Sequence, residues 1–468
     1  MPKTLVSVPS FTAGQLSPRM EGRTDFQKYF SAGTTIKNFI VQPHGPVARR
    51  PGTYFVSEVK DSSKNTRLIP FSFSTTQTYI LEFGDQYIRF YKDSGQITSG
   101  GSAYEISSPY LEAELFDIKF AQSADVMYIC HENHAVRKLS RTGHTSWTLT
   151  EVDFADGPYL DSNTTSTTFA TSAHTVGTGR TLTASSTTGI NSNTGFQTTD
   201  IGRLVRFRDG YGRITARTST TVVTIQILED MGSTSSSTDW SLGAFSDTTG
   251  HPKCVSFFEQ RLVFAGTTDQ PQTLFFSQSG DYENMDDGLS GSVTDSSAMV
   301  YTIASNQVNA ITSIKATRTL IVMTTGGEFT VTSGAAEDPV TPTNLNIRKQ
   351  SSYGSAGVDA LSIGNTTIFL QRAKRKIREL AYNFDNDGYI APDLTILSEN
   401  ITLSGLIQID YQQEPYSVVW GVRTDGKLVG MTYNRIQDVV AWHEHDFGGT
   451  NAKCKSVAVI DIDTSEDQ

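Results

Sequence analysis

The feature that most constrains this chain is a recurring unit of short apolar strands broken by polar turns. Residues 71–95 (FSFSTTQTYILEFGDQYIRFYKDSG) and 118–143 (IKFAQSADVMYICHENHAVRKLSRTG) share one form: strand, turn, strand, turn, charged strand. The clearest copy is Cys254–Phe258 with Arg261–Ala265 and then Thr273–Ser277, where Gly266 to Asp269 supply a permissive connection. Alternating apolar residues rich in aromatic and β-branched types fit a pleated, half-buried surface. Similar units begin near residues 68, 116, 254, 308, 358 and 406. Once the stretch 155–250 is set aside their spacing is about 50 residues, the period of four-stranded propeller blades, and it fits a propeller better than a pair of β-sandwiches.

The expected class is therefore all-β: a β-propeller-like body of repeated antiparallel blades with an inserted small β-domain. The division is 1–66 (an extended N-terminal arm and first strands), 67–154 (blades), 155–250 (the insertion) and 251–468 (further blades). Abundant Gly, Ser and Thr with 19% charged residues agree with short strands and turns. The Ser/Thr-rich half of the insertion, 161–199, buries little apolar surface and is expected to be a flexible, exposed loop, whereas Leu204–Arg208, Tyr211–Arg217 and Thr221–Leu228 read as strands. In the arm, Pro43, Gly45, Pro46, Pro51 and Gly52 interrupt any ladder, so it should run extended, either over its own domain or onto a neighbouring subunit. Removing residues 1–50 is expected to leave a folded monomer. Near the end, Cys454–Asp461 reads as the inner strand of another blade, which either closes the ring against an N-terminal blade or, the reading preferred, leaves the blades incomplete there.

A net charge of −11 argues against a dedicated nucleic-acid binder, though not against a surface past which DNA slides. Cys130, Cys254 and Cys454 have neither disulfide nor CxxC spacing and read as buried thiols. No stretch resembles a signal peptide or a membrane span, so synthesis in the cytoplasm is expected, with no membrane insertion by this chain.

No catalytic, cofactor or metal site is assigned. His443-Glu444-His445-Asp446 would put two imidazoles on one strand face, but a third ligand is missing. Asp385-Asn386-Asp387-Gly388 opens like a calcium loop without the later bidentate Glu, so a turn is expected. Asp281, Glu283, Asp286 and Asp287 could hold a carboxylate pair for glycoside hydrolysis, or simply form an acidic loop. The one basic cluster, Arg372, Lys374, Arg375, Lys376 and Arg378, falls on an expected hairpin, a candidate DNA-facing or salt-bridging tip.

The run from Phe11 to Val56 resembles the start of the tail nozzle proteins of short-tailed podophages, also called tail tubular protein B. The signature N-F-x5-G-x3-RRPGT-x-F-V is matched by Asn38, Phe39, Gly45 and Arg49 to Val56. Further similarity covers FFEQRLVFAGT (257–267), SGDYEN (279–284), DPVTPTN (338–344) and RELAYNFDNDGYIAPDLT (378–395). The resemblance implies a virion tail component and not an enzyme. It implies a hexameric ring of propeller subunits beneath a tail adaptor protein, carrying tail fibres or spikes and passing genomic DNA through its lumen without reading its sequence. Six copies at −11 each carry −66, which suits a conduit that repels its cargo. The arm residues Asn38, Phe39, Arg49, Arg50, Pro51 and Gly52 become candidates for docking on a subunit or the adaptor. The alternative is a propeller that binds or depolymerises carbohydrate, with the acidic loops as its site.

Overall fold

A computed structural model describes residues 8–289, 291–304, 307–334 and 338–461. Among them the only helical pieces are short 3-10 turns. The repeats fold as six antiparallel meanders. Blade 1 comprises Arg67–Ser74, Gln77–Gly84, Tyr87–Lys92 and Glu105–Ser107, and blade 2 Lys119–Ser123, Val126–His131, His134–Gly143 and Ser146–Glu151. Blade 3 comprises Cys254–Phe258, Arg261–Ala265, Thr273–Phe276 and Met299–Thr302, and blade 4 Ile311–Ala316, Leu320–Thr324, Gly327–Ser333 and Leu345–Ser351. Blade 5 comprises Leu361–Ile363, Thr366–Leu370, Ile377–Asn383 and Gly388–Ile390, and blade 6 Leu406–Gln412, Val418–Arg423, Leu428–Asn434 and Val439–His445. The first strands of all six blades line two adjoining cavities that share Lys119, Lys315, Asp359 and Ala360. Such convergence requires a radial arrangement, so the body is a six-bladed β-propeller.

Neighbouring blades are joined face to face by apolar side chains. Between blades 1 and 2, Trp147 stacks on Phe90 at 4.5 Å and meets Phe71 edge-on at 4.8 Å. Val255, Leu262 and Phe264 of blade 3 share a core with Tyr128, Cys130 and Val136 of blade 2. Leu274 and Phe276 pack with Leu320 and Phe329, Ile321 and Met323 with Phe369 and Leu380, and Ile368 and Leu370 with Leu406 and Val419. No buried apolar cluster joins blade 6 to blade 1 among the described residues. That seam is closed by polar contacts instead: Gln408 Nε2 donates to Leu68 O at 3.2 Å, and Ser456 Oγ accepts from Leu68 N at 2.9 Å while donating to Gln408 Oε1 at 2.6 Å. Residues 454–460 therefore form an extended strap and not the expected inner strand. Val457 N donates to Gln408 Oε1 at 3.2 Å and Val459 N to Asp410 Oδ2 at 2.7 Å, side-chain contacts that hold the strap against the edge strand Leu406–Gln412 without adding a ladder to it.

The insertion is a six-stranded antiparallel sheet whose order is Phe169–Thr171, Gly177–Ala184, Val222–Ile227, Gly210–Arg217, Leu204–Phe207 and Trp240–Leu242. This corrects the expectation of a flexible Ser/Thr-rich loop. That half supplies two strands and buries Phe169, Leu182, Ile190 and Phe196, with Phe169 stacked on Trp240 at 4.1 Å. A few well-spaced apolar side chains anchor it, while hydroxyl groups satisfy the turns.

The arm is also more committed than its composition suggests. Lys37 bridges Glu444 in parallel beside the last strand of blade 6, with Asn38 N donating to Glu444 O and Glu444 N to Ile36 O. Ile36 and Val41 pack on Val439 and Ala441. Gly14, at φ +67°, lies so close to Trp442 that a Cβ would fall 2.2 Å from its backbone nitrogen. Residues 8–50 thus complete blade 6, and deleting them would expose its core, contrary to the folded monomer expected.

Candidate functional site

Of the arm residues named above, several are used within the chain. Asn38 Oδ1 accepts from Asp446 N at 2.9 Å, Phe39 pairs with Arg49 across a short hairpin, and the Arg50 guanidinium lies 5.3 Å over the Phe447 ring. From Pro51 and Gly52 onward the chain leaves blade 6 in no ladder and presents Tyr54 (76% exposed), Phe55 (72%) and Val56 to the outside. Beside them an apolar groove of about 540 Å³ runs along the polar seam, lined by Val56, Val59, Leu68, Ile80, Ala458 and Ile460. Tyr54, Phe55 and the groove together leave an apolar surface that the described part of the chain does not cover. Sequence reasoning named the RRPG turn but passed over the aromatic pair that follows it.

The basic hairpin lies at the tip between the second and third strands of blade 5. Arg372, Lys374 and Arg375 are exposed there, and Lys376 pairs with Asp393 at 2.7 Å. Arg378 is not part of that tip, which corrects its assignment. It is buried on the strand, donating to Ala391 O at 2.5 Å and Gln371 Oε1 at 2.9 Å with its guanidinium 3.5 Å over Tyr353.

The propeller's own axis is bridged by charge. Arg67 of blade 1 and Lys119 of blade 2 reach Asp359 before blade 5 at 3.1 and 2.9 Å. Burial alone would raise the Asp359 carboxyl, but Lys119 and Arg67 outweigh it and hold the group below its ordinary value. Among the described residues Asp410 on blade 6 has no such pair, and burial pushes it up to about 6. These residues had no signal in sequence, because each comes from a different blade.

The remaining candidates are absorbed by the fold. Glu283 accepts from Lys138 at 2.7 Å and Tyr128 at 3.0 Å, and Asp287 from Arg206 at 2.8 Å, so both tie the loop after Phe276 to blade 2 and the insertion. Asp385 to Gly388 form a turn that Asp387, at φ +44°, closes onto Tyr382. His443 and His445 are buried against each other, Nδ1 to Nε2 at 2.6 Å. Cys130 and Cys254 are buried thiols, pushed up by desolvation, while Cys454 is only half-buried. No helix among the described residues is long and apolar enough to cross a membrane.

No known family's sequence profile matches the chain. No curated protein matches it. Among solved structures, it is similar to the WD40 domain of Neurospora crassa Pan2, at 8% identity over 71% of this chain and 79% of that one, with a TM-score of 0.31. It is similar also to the Cps50 (Swd1) β-propeller domain of Myceliophteria thermophila, at 8% identity over 79% and 97%, with a TM-score of 0.36. A protein from Lactobacillus plantarum matches at 10% identity over 67% and 80%, with a TM-score of 0.32.

Proposed function

We propose that this protein is a structural subunit of a homo-oligomeric ring, the tail nozzle of a short-tailed phage, which passes DNA between its copies and carries fibres or spikes outside. One observation carries the reading: the stretch with the most specific resemblance to nozzle proteins, Arg49 to Val56, is also where large aromatic side chains are left unused by the chain's own fold. A neighbouring copy would bury Tyr54 and Phe55, and burial of aromatic anchors dominates the energetics of such contacts. The exposed Arg372, Lys374 and Arg375 are then candidates for contact with DNA or with an acidic neighbour, against a net-negative body that keeps the cargo mobile.

The test is the mass of the purified assembly by light scattering and negative-stain imaging, alone and with a candidate tail adaptor. A ring of six is expected in one or both conditions. Tyr54→Ser with Phe55→Ser should weaken subunit association by about 30-fold or more while leaving the monomer folded. A wild-type chain that stays monomeric with and without the adaptor would overturn the reading.

A further inference from the structure

The turn of blade 2 between its second and third strands carries a second histidine pair. Val126–His131 and His134–Gly143 are joined by Glu132-Asn133 alone, and His131 and His134 are cross-strand partners. Partners directly opposite put their side chains on one face of the sheet, with Cβ atoms about 5 Å apart. Glu114 enters from the short turn Glu112–Glu114 that leads from blade 1 into blade 2, and its Oε2 lies 2.9 Å from His134 Nε2. One donor atom from each of Glu114, His131 and His134 falls within 4.8 Å of the other two, and no other such group of three occurs among the described residues.

Four observations bear on what this cluster holds. The donor set of two imidazoles and one carboxylate is that of three-ligand zinc centres, in which a fourth position is left for water. The carboxylate is oriented from outside the cluster, Leu111 N donating to Oε2 at 2.9 Å and Asn133 Nδ2 to Oε1 at 3.4 Å, as ligand carboxylates are. His131 is buried, so its ring is held in place by the packing around it. Finally, Tyr110 packs edge-on against the His134 ring at 5.2 Å and lies 6.3 Å from that of His131; it is fully buried, and its hydroxyl has no hydrogen-bond partner among the described residues. An orphaned buried hydroxyl is costly unless something in the site satisfies it, and a metal-bound water is suited to do so.

We infer that Glu114, His131 and His134 form a binding site for a divalent transition metal of the zinc class, pinning the connector from blade 1 to the hairpin of blade 2. Tetrahedral coordination at zinc-ligand lengths places donors about 3.4 Å apart; Glu114 and His134, 2.9 Å apart, would open slightly, and with all three donors within 4.8 Å of one another small side-chain adjustments suffice. The metal reaches them through a cleft of about 360 Å³ between blade 2 and the insertion, which Asn133 and His134 line together with Arg203, Arg213 and His251.

The full chain, dialysed against a chelator and then into metal-free buffer, is titrated with Zn²⁺ and separately with Co²⁺ by calorimetry and visible absorption. One equivalent per chain is expected, with a Co²⁺ spectrum typical of low coordination number. Glu114→Gln and His134→Asn should each reduce affinity by about 100-fold or more, with circular dichroism unchanged. His131 is left intact because its burial makes a folding defect hard to separate from loss of a ligand. Failure to bind either metal overturns the inference. So does binding that persists in Glu114→Gln and His134→Asn, since the metal then sits elsewhere.

Discussion

Blades 2 and 6 each hold two histidines in van der Waals reach of one another, yet the surroundings give them opposite characters. In blade 6, His443 and His445 lie two apart on one strand and share its inner face, beneath Trp420 and against Gly430. The same alternation turns the intervening Glu444 outward, to Arg423 at 3.1 Å, so the nearest carboxylate in sequence is the one that cannot join them. In blade 2 the histidines face each other across a turn, and an acid from a different segment reaches them. Burial drives His443 far below the ordinary histidine range and His445 down to about 3, leaving an uncharged pair that serves packing. The lesson is that a histidine pair becomes a ligand set through what approaches its open side, not through the spacing of the histidines.

The sharpest way to break this comparison is to remove the space that the packed pair occupies. A Cβ at Gly430 would fall 2.1 Å from His443 Cε1 and 2.7 Å from Nδ1, and the ring has no retreat between Trp420 and His445. Gly430→Ala should cost about 3 kcal/mol or more, as overpacking of a rigid core does. Denaturant unfolding checks this, and a cost below about 0.5 kcal/mol would mean that the pair is not locked.

A smaller effect separates the pairs by pH. An unfolded histidine titrates near 6.5 and His445 near 3, so between these values the unfolded chain binds more protons. Stability is therefore complete above about pH 6.5 and falls on acidification, by about 2 kcal/mol at pH 5 from His445 alone. Asp410, raised to about 6, has the opposite sign: its folded form takes up a proton as pH falls through that value, which restores stability. The two are resolved by comparing unfolding midpoints at neutral pH and pH 5 in wild type and His445→Phe. A flatter pH dependence is expected in the variant; an identical one would assign the acid sensitivity to other groups.

The fold was largely legible because strand patterning is local. Cys254–Phe258, Arg261–Ala265 and Val126–His131 fall at the boundaries read from alternation, and the six repeat starts each open a blade, although the period alone left the blade number open. The Ser/Thr-rich half of the insertion was misread because its core residues, Phe169, Leu182, Ile190 and Phe196, are too sparse for composition to register. Arg378 was misassigned for a related reason: a run of basic residues hides the point at which a strand begins and turns one of them inward. At the cluster in blade 2 the sequence HENH held a usable signal, since the residues that flank a two-residue turn are cross-strand partners. Glu114 had none, being brought there by the path of the connector between blades. The axial residues Arg67, Lys119 and Asp359 are a still more extreme case, assembled from three blades by closure of the ring.

The smallest expected effect sharpens the comparison most. Without metal, His134→Asn removes a hydrogen bond to Glu114 and a ring contact with Tyr110, and the net worth of such a bond is modest. Its cost in metal-free buffer at neutral pH should therefore stay within about 1.5 kcal/mol, below that of Gly430→Ala. Zinc at about 100 times its dissociation constant should then stabilise the wild type by about 2.7 kcal/mol and leave the variant nearly unmoved, because a ligand stabilises only the state that binds it. Gly430→Ala, whose defect lies four blades away along the chain, should retain the full increment from zinc. If His134→Asn instead costs as much without metal as Gly430→Ala, the pair in blade 2 is also a packing element, and the contrast between the two blades disappears.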